Sequence, residues 1–245
     1  MREYMNLEDL NALESGLSEY GLSLSEKQKV QFVTYGSMLQ EWNQKMNLTA
    51  ITDSKEIAVK HFLDSLTGIR LVDFSKVETL IDLGTGAGFP GIPLKIMFPE
   101  MKVTLADSLN KRINFLNSVI EQLELNKITA VHGRAEDLAR KPEYRGQFDV
   151  CASRAVANLA TLSEYCIPFV KTKGYFLSYK GPDADREVQE AKNAIERMGG
   201  RFEKSDHFTL PPYQDERVLV LIQKEKPTPK KYPRQAGTPA KKPIQ

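Results

Sequence analysis

The most constraining feature of the chain is a glycine-rich run at residues 77–91, Val-Glu-Thr-Leu-Ile-Asp-Leu-Gly-Thr-Gly-Ala-Gly-Phe-Pro-Gly. A short apolar segment, residues 79–83, is followed by alternating glycines and then by a helix-like stretch, residues 92–98. This order predicts a strand, a tight turn and a helix start, which is how an α/β protein brings backbone N–H groups to a nucleotide-like ligand. Glycine suits such a turn because it tolerates positive φ and has no Cβ to hold the ligand away.

The run fits two ligand-binding motifs. A G-x-G-x-x-G pattern starting at residue 86 satisfies the dinucleotide fingerprint, but a phosphate-binding turn should begin at the strand end, which is Gly84. Counted from Gly84, the sixth position is Phe89 and not glycine. The frame that fits is D-x-G-x-G-x-G starting at Asp82, which resembles the first motif of Rossmann-like S-adenosylmethionine-dependent methyltransferases. Their cofactor carries a sulfonium and an ammonium group, and the Asp82 carboxylate suits that positive charge, directly or through water.

Composition and charge narrow the class of protein. A chain of 245 residues can bury a substantial core. The net charge of +2 conceals an asymmetry, because residues 224–245 contain seven Lys or Arg and one Glu and therefore carry +6, which leaves about −4 for the rest. Cys151 and Cys166 lie in apolar surroundings and are expected to be core thiols. With no apolar run near the roughly 18 residues of a membrane span and no apolar signal-peptide region, we expect a cytoplasmic protein. We also expect a monomer.

The hydrophobic pattern divides the chain into three parts. Residues 1–75 have helical spacing and predict a helical extension packed on the core, with a third helix at about residues 55–71. Ser25 with Gln28 predicts a capping box at the start of the second helix. The apolar stripe predicted for that helix comprises Phe32, Tyr35, Leu39, Trp42 and Met46. From residue 77 short β-rich runs alternate with amphipathic segments, at residues 79–83, 103–106, 128–132, 148–152 and 174–179. This alternation predicts an α/β domain over residues 76–225 with a mainly parallel sheet and helices on both faces.

The last two predicted strands, residues 202–208 and 217–223, are joined by a short segment and predict an antiparallel ending. We therefore expect a seven-stranded sheet with one antiparallel strand, which is typical of Rossmann-like methyltransferases and unusual in nicotinamide-binding sheets.

In an open parallel sheet, ligands bind beyond the carboxyl ends of the strands. Asp107 follows the second strand, 23 residues beyond Gly84, where a carboxylate can accept both hydrogen bonds of a ribose diol. NAD and S-adenosylmethionine both contain a ribose, so this spacing indicates a nucleoside without choosing between them. Ala135 and Glu136 follow the third strand, where they could read an adenine edge or simply begin a solvated helix. Arg154 follows the fourth strand and would face the cleft.

Two common methyltransferase motifs are missing after the fourth strand. Enzymes that methylate exocyclic amino groups have Asn/Asp-Pro-Pro-Tyr/Phe there, whereas the Pro-Pro-Tyr at residues 211–213 follows the sixth strand. A Pro-Cys nucleophile for pyrimidine carbon-5 is also missing, since Cys151 precedes Ala152 inside a strand. A target that is already nucleophilic needs neither device. Guanine N7 is such a target, with a free lone pair and no proton to remove, so catalysis would be mainly in-line positioning.

Residues 226–245 form a basic C-terminal tail with five prolines. This composition predicts a segment that cannot form a core. Flexible basic segments attract phosphates in a salt-sensitive way, and Tyr232 could stack on a base, so the tail is interpreted either as an RNA-binding arm or as a solubilising tail.

Over nearly its whole length the chain resembles the glucose-inhibited division protein B family, the bacterial small-subunit ribosomal RNA guanine-N7 methyltransferases. The matching segments are Glu41-Trp42-Asn43, Asn47-Leu48-Thr49, His61-Phe62, Asp64-Ser65, Asp82 to Pro90, Asp107-Ser108-Leu109 with Lys111-Arg112, Arg134-Ala135-Glu136, Ser153-Arg154-Ala155, Lys230-Lys231-Tyr232-Pro233-Arg234 and Gly237-Thr238-Pro239.

The resemblance implies methylation of guanine N7 in the decoding-region (530) loop of 16S ribosomal RNA, with S-adenosylmethionine as cofactor and no metal. The partner would be the small ribosomal subunit or its assembly intermediate. The expected cofactor-binding residues are Asp82, Gly84, Gly86, Gly88, Phe89, Asp107, Ala135, Glu136 and Arg154. Arg154 and Lys180 are expected to position the RNA or its target base. His61 either orders the first loop over the cleft or is a packing histidine, and we favour the second interpretation.

Two other functions remain open at this point. An NAD(P)-dependent Rossmann oxidoreductase would use the glycine pattern that starts at residue 86 as its phosphate turn. A non-catalytic ribosome-binding module would keep a vestigial cofactor pocket.

Overall fold

The computed structural model describes residues 4–154 and 156–244. The chain begins with two α-helices, α1 (Asn11–Ser18) and α2 (Glu26–Met46), after a short 3₁₀ turn at Leu7–Leu10. The expected capping box starts α2, because the Ser25 hydroxyl accepts from the Gln28 N–H and the Gln28 side chain accepts from the Ser25 N–H. The predicted apolar stripe of α2 is buried at Phe32, Tyr35 and Leu39, each 0% exposed.

A third helical segment follows at residues 54–70, close to the predicted 55–71. It changes its winding along its length, with α3 (Ser54–Ile57), a π-helical stretch (Ala58–Leu63), α4 (Asp64–Leu66) and a 3₁₀ turn (Thr67–Arg70). π-helical turns are rare and occur frequently at functional sites, which marks this segment as a candidate part of a functional site.

Seven strands form one sheet in the order β3-β2-β1-β4-β5-β7-β6. The strands are β1 (Thr79–Leu83), β2 (Lys102–Asp107), β3 (Ile128–His132), β4 (Phe148–Arg154), β5 (Val170–Lys180), β6 (Gly200–Leu210) and β7 (Asp215–Lys224). The pairs from β3 to β5 are parallel, and β7 runs antiparallel to both β5 and β6. The predicted fold class is therefore confirmed, including its single antiparallel strand.

Helices cover both faces of the sheet. They are α5 (Gly91–Met97), α6 (Asn110–Gln122), α7 (Ala135–Leu138), α8 (Leu159–Cys166) and α9 (Ala184–Arg197). On one face α2 packs against α5 and α6, which places the N-terminal helices in the same apolar core as that side of the sheet. On the other face α8 and α9 pack together in a second core, which also contains the buried thiols of Cys151 and Cys166.

The C-terminal segment, residues 226–244, differs from the expected tail without a core. Tyr232 and Ile244 are only 7% and 6% exposed and belong to the second core. Arg234 donates to both carboxylate oxygens of Glu164, which lies on α8. The prediction that this segment cannot form a core is wrong at Tyr232 and Ile244, because proline content and charge do not reveal that Arg234 has a buried acidic partner. A short helix, α10 (Thr238–Lys241), ends the segment against α8.

No helix within residues 4–154 and 156–244 combines the length and the hydropathy that crossing a membrane requires.

Candidate active site

The glycine run forms a tight loop between β1 and α5. Gly84, Gly86 and Gly88 have φ of +69°, +62° and +106°, values that favour glycine over residues with a Cβ. Gly91 has no such φ and instead allows close packing, since a Cβ there would lie 2.3 Å from Leu105 Cδ2. The turn therefore begins at Gly84, directly after β1, as the frame starting at Asp82 predicts.

Most N–H groups of this loop are already bonded within the protein. The N–H groups of Gly84 and Thr85 donate to the Ala106 carbonyl, and those of Gly88 and Phe89 donate to the Thr85 carbonyl. The loop is thus held in shape by its own bonds, and its contribution to a ligand site is mainly the close approach of its backbone.

Asp82 fixes the shape of the glycine loop through hydrogen bonds. Its side chain is fully buried, and its Oδ2 accepts hydrogen bonds from the Thr85 hydroxyl at 2.6 Å and from the Gly91 N–H at 2.7 Å. Burial raises the pKa of the Asp82 carboxyl to about 7, against the lowering effect of these bonds. Its Oδ1 is a buried acceptor without a partner among the described residues. Asp82 therefore shapes the loop, and direct contact with a ligand is not available to it in this conformation.

Asp107 links β2 to the glycine loop. Its carboxylate is 3% exposed and accepts from the Gly86 N–H at 3.0 Å and from the Leu109 N–H at 2.9 Å. The Arg112 guanidinium adds a third bond, at 3.1 Å. A carboxylate has about four acceptor positions, so Asp107 retains one for a ligand hydroxyl. A second hydroxyl would displace Arg112, the partner whose side chain is 34% exposed.

A pocket of about 440 Å³ opens at the carboxyl ends of β1, β2 and β3. Four of the expected cofactor-binding residues line it, namely Gly84, Asp107, Ala135 and Glu136. The lining also contains residues that the sequence did not single out for this role, including Arg112, Val156, Tyr165, Gly237 and Ala240. The lining does not include Asp82, Gly86, Gly88, Phe89 or Arg154.

Val156 lies against the first glycine of the loop. A Cβ on Gly84 would lie 2.6 Å from Val156 Cγ2, so the two residues meet at the pocket wall. Ala155, which belongs to the Ser153-Arg154-Ala155 match, lies outside the described residues.

A second pocket, of about 390 Å³, is lined by four cationic side chains, from Lys60, Arg154, Lys180 and Arg217. Asp64 lies between two of them, since its Oδ2 accepts from Arg154 Nη1 at 2.7 Å and its Oδ1 from Arg217 Nε at 3.1 Å. Asp64 is 5% exposed, so water does little to weaken this arrangement. The buried acid fixes both guanidinium groups at the edge of the pocket.

His61 fixes the other side of Arg154. Arg154 Nη2 lies 3.1 Å from His61 Nδ1, and because arginine only donates, Nδ1 must be the acceptor. The proton is then on Nε2, which lies 2.7 Å from the Thr49 hydroxyl in the loop after α2. Burial, together with the Arg154 charge, lowers the pKa of His61 to about 3, so the ring is neutral at physiological pH.

Phe89 completes this cluster. The His61 ring stacks on the Phe89 ring at 4.5 Å between centroids, and the Arg154 guanidinium carbon lies 5.0 Å above the same ring. Phe89 is 6% exposed. Both interpretations of His61 thus describe part of its role, since it is a packed, hydrogen-bonded residue and it also ties the loop at Thr49 to the cleft.

Lys180 ends β5 at the rim of the second pocket. Its ammonium donates to the Ala157 carbonyl and to Glu187 Oε2, both at 2.7 Å. An ammonium has three donors, and the described part of the chain supplies two acceptors, which leaves one donor for a ligand. Among the described residues, no group of three or more His, Cys, Asp or Glu is arranged to hold a metal ion.

Known proteins similar to this chain point to one family. A family profile described as "GidB: rRNA small subunit methyltransferase G" matches residues 28–212. A relative from Lachnoclostridium phytofermentans, named Ribosomal RNA small subunit methyltransferase G, is 51% identical over 238 residues, which cover 97% of this chain and 98% of that protein. A relative of the same name from Desulforamulus reducens is 52% identical over 232 residues, covering 95% and 97% of the two chains.

Solved structures share the fold at low sequence identity. TYW2 from M. jannaschii in complex with AdoMet has a TM-score of 0.52 and 15% identity, covering 66% of this chain and 76% of that one. TrmN from Thermus thermophilus has a TM-score of 0.52 and 13% identity, covering 66% and 48%. The resemblance drawn from the sequence is confirmed, and the chain belongs to the GidB family, rRNA small subunit methyltransferase G.

Proposed function

We propose that the protein transfers the methyl group of S-adenosylmethionine to N7 of a guanine in the 530 loop of 16S ribosomal RNA. The observation that carries the proposal is the carboxyl end of β4, where Arg154 lines the cation-rich pocket and Val156, two residues further on, lines the pocket beside the glycine loop. A base in the cation-rich pocket and a nucleoside cofactor in the pocket beside the glycine loop would meet across this segment, as methyl transfer between them requires.

The pocket beside the glycine loop fits S-adenosylmethionine in size and chemistry. Its volume of about 440 Å³ is within the roughly 300–1,000 Å³ that is usual for small-molecule sites. The carboxylates of Asp107 and Glu136 are acceptors for ribose hydroxyls and for an exocyclic amino group. A cation in the site would favour the ionised form of Asp82, whose Oδ1 has no partner. When bound, S-adenosylmethionine supplies an electrophilic methyl group on its sulfonium.

The cation-rich pocket suits a base that requires no deprotonation. His61 is a poor general base because its pKa is about 3, and Asp64 is engaged by two arginines. Guanine N7 has a lone pair and no proton, so positioning is the main requirement. Arg154 and Arg217 can donate hydrogen bonds to guanine acceptors or to phosphate, and Lys180 has one free donor.

The RNA backbone would contact exposed lysines of the docked C-terminal segment. These side chains are those of Lys226, Lys230, Lys231, Lys241 and Lys242. Because the segment is packed on α8, its lysines form a fixed surface rather than a flexible arm. Their contacts with phosphate would make RNA affinity fall with rising salt concentration.

Two measurements test the proposed function. Calorimetric titration should show binding of S-adenosylmethionine and none of NAD or NADP; the reverse result would favour an oxidoreductase. Tritiated methyl transfer should label small subunits from a strain that lacks the modification. Arg154→Gln should abolish labelling while leaving cofactor binding measurable, and Arg201→Gln, on a distant surface, is the matched control. Cofactor binding without any labelling by the wild-type protein would favour a non-catalytic module.

A further inference from the structure

The C-terminal segment lies directly beside the pocket assigned above to the cofactor. Gly237 and Ala240 belong to the pocket lining. The Gly237 N–H donates to Glu136 Oε1 at 2.8 Å, across 101 positions of the chain. Glu136 is 4% exposed, and on the proposed function it is the carboxylate that reads the nucleoside of the cofactor.

A buried acid on α8 requires the segment to be docked. The Glu164 side chain is 1% exposed and accepts from the Arg234 N–H at 2.6 Å and from Arg234 Nη2 at 2.7 Å. Removing Arg234 would leave a buried carboxylate without its charge partner, which is strongly unfavourable. The core of the protein therefore holds the segment in place just before it reaches the pocket.

Further bonds fix the chain on both sides of Arg234. Arg145 donates to the carbonyl oxygens of Thr228 at 2.8 Å and Tyr232 at 3.0 Å. Beyond Arg234, the Thr161 hydroxyl donates to the Pro239 carbonyl at 3.3 Å. The Arg145 guanidinium thus satisfies carbonyl oxygens of the proline-rich stretch before Arg234, so side chains from the methyltransferase domain specify the path of this stretch.

We propose that residues 237–240 form a wall of the cofactor pocket, and that the Gly237 N–H positions the Glu136 carboxylate for the nucleoside end of S-adenosylmethionine. The segment thereby contributes to cofactor affinity in addition to RNA binding. This inference rests on the proposed function, since it names the cofactor of the same site. By linkage, the bound cofactor must stabilise docking of the segment by the same factor by which docking raises cofactor affinity.

The test is binding of S-adenosylhomocysteine by calorimetry to the full chain, to a chain ending at Arg234, and to Thr161→Val. The truncated chain keeps the Glu164 partner, and we expect its Kd to rise about tenfold to a hundredfold, as the loss of a hydrogen bond to a charged group predicts. Thr161→Val should give a smaller rise. Arg201→Ala is the control, because its ion pairs with Glu203 and Glu225 lie elsewhere and its Kd should not change.

Limited trypsin digestion is the reciprocal measurement. Saturating S-adenosylhomocysteine should slow cleavage after Lys241, which is exposed and is not followed by proline, and leave cleavage at Lys27 on α2 unaffected. The inference is overturned if the folded truncated chain binds S-adenosylhomocysteine as tightly as the full chain, or if the ligand does not slow cleavage. If the full-length protein binds no S-adenosylhomocysteine, the proposed function itself fails, which is a distinct result.

Discussion

Replacing Asp64 with asparagine should both destabilise the protein and impair methyl transfer. Asp64 is 5% exposed and holds Arg154 at 2.7 Å and Arg217 at 3.1 Å. Asparagine has nearly the same shape but no charge, so two guanidinium groups would be left close together without their shared carboxylate.

The expected loss of stability follows from the burial of the three side chains. Breaking a buried ion pair costs about 3–5 kcal/mol. Arg217 is 26% exposed and keeps a second contact with Asp215 at 3.5 Å, so we expect a loss nearer 2–4 kcal/mol, or about 5–15 °C in Tm. Because Arg154 would lose its main restraint, kcat/KM for methyl transfer should fall about a hundredfold.

The assay combines urea unfolding with tritiated methyl transfer to small subunits. The matched control is Asp215→Asn, since Asp215 contacts the same Arg217 but its side chain is 35% exposed. That exposed pair should contribute less than about 1 kcal/mol. If Asp64→Asn unfolds at the same urea concentration as Asp215→Asn and retains its activity, the assignment of Asp64 as the residue that positions Arg154 is refuted.

Three further predictions concern the glycine loop and the titrating groups. Gly88→Ala should lower the free energy of unfolding by about 2–5 kcal/mol, because the φ of Gly88 is +106° and the new Cβ would lie 2.7 Å from Tyr35 Oη. Gly86→Ala meets no atom within 4 Å and should lose only the left-handed penalty of about 1–2 kcal/mol. Equal losses of the two variants in urea unfolding would contradict this. The pKa of His61 is about 3 in the folded state and 6.5 in the unfolded state, so between pH 4 and 6.5 the unfolded wild-type protein binds more protons and stability rises with pH. His61→Asn should flatten or reverse this rise of the unfolding free energy. Asp82→Asn should have the opposite effect, since a pKa of about 7 in the folded state makes the stability of the wild-type protein fall as pH rises from about 4 to 7. For each variant the slope of unfolding free energy against pH should change by up to about 1.4 kcal/mol per pH unit. Slopes parallel to wild type would refute these assignments.

Much of the fold could be predicted from local sequence patterns. The strand at residues 79–83 and the capping box at Ser25 were recognisable because alternation, turn residues and cap chemistry are encoded by neighbouring positions. The position of Asp107 and Glu136 in one pocket was predictable for a related reason, since parallel strands bring their carboxyl ends to one edge of the sheet.

The remaining parts of the site depend on contacts between distant positions. Arg217 reaches Asp64 across 153 positions because antiparallel β7 runs beside β5, and no local motif marks it. The docking of the C-terminal segment depends on Glu164, which looks like any helical acid until its burial is known. Composition alone therefore predicted that residues 226–245 cannot form a core, whereas the ion pair of Arg234 with Glu164 shows that this segment is packed on α8.

Mapping of the methylated nucleotide is the direct test of methyl transfer to guanine N7 in the 530 loop. Small subunits from a strain lacking the modification would be incubated with the purified protein and S-adenosylmethionine carrying a labelled methyl group. Nuclease fragments of the 16S RNA would then be analysed by mass spectrometry. We expect 7-methylguanosine in the fragment containing the 530 loop and none with Arg154→Gln. A methyl group on another atom or another base, or label in a different region of the RNA, would contradict it.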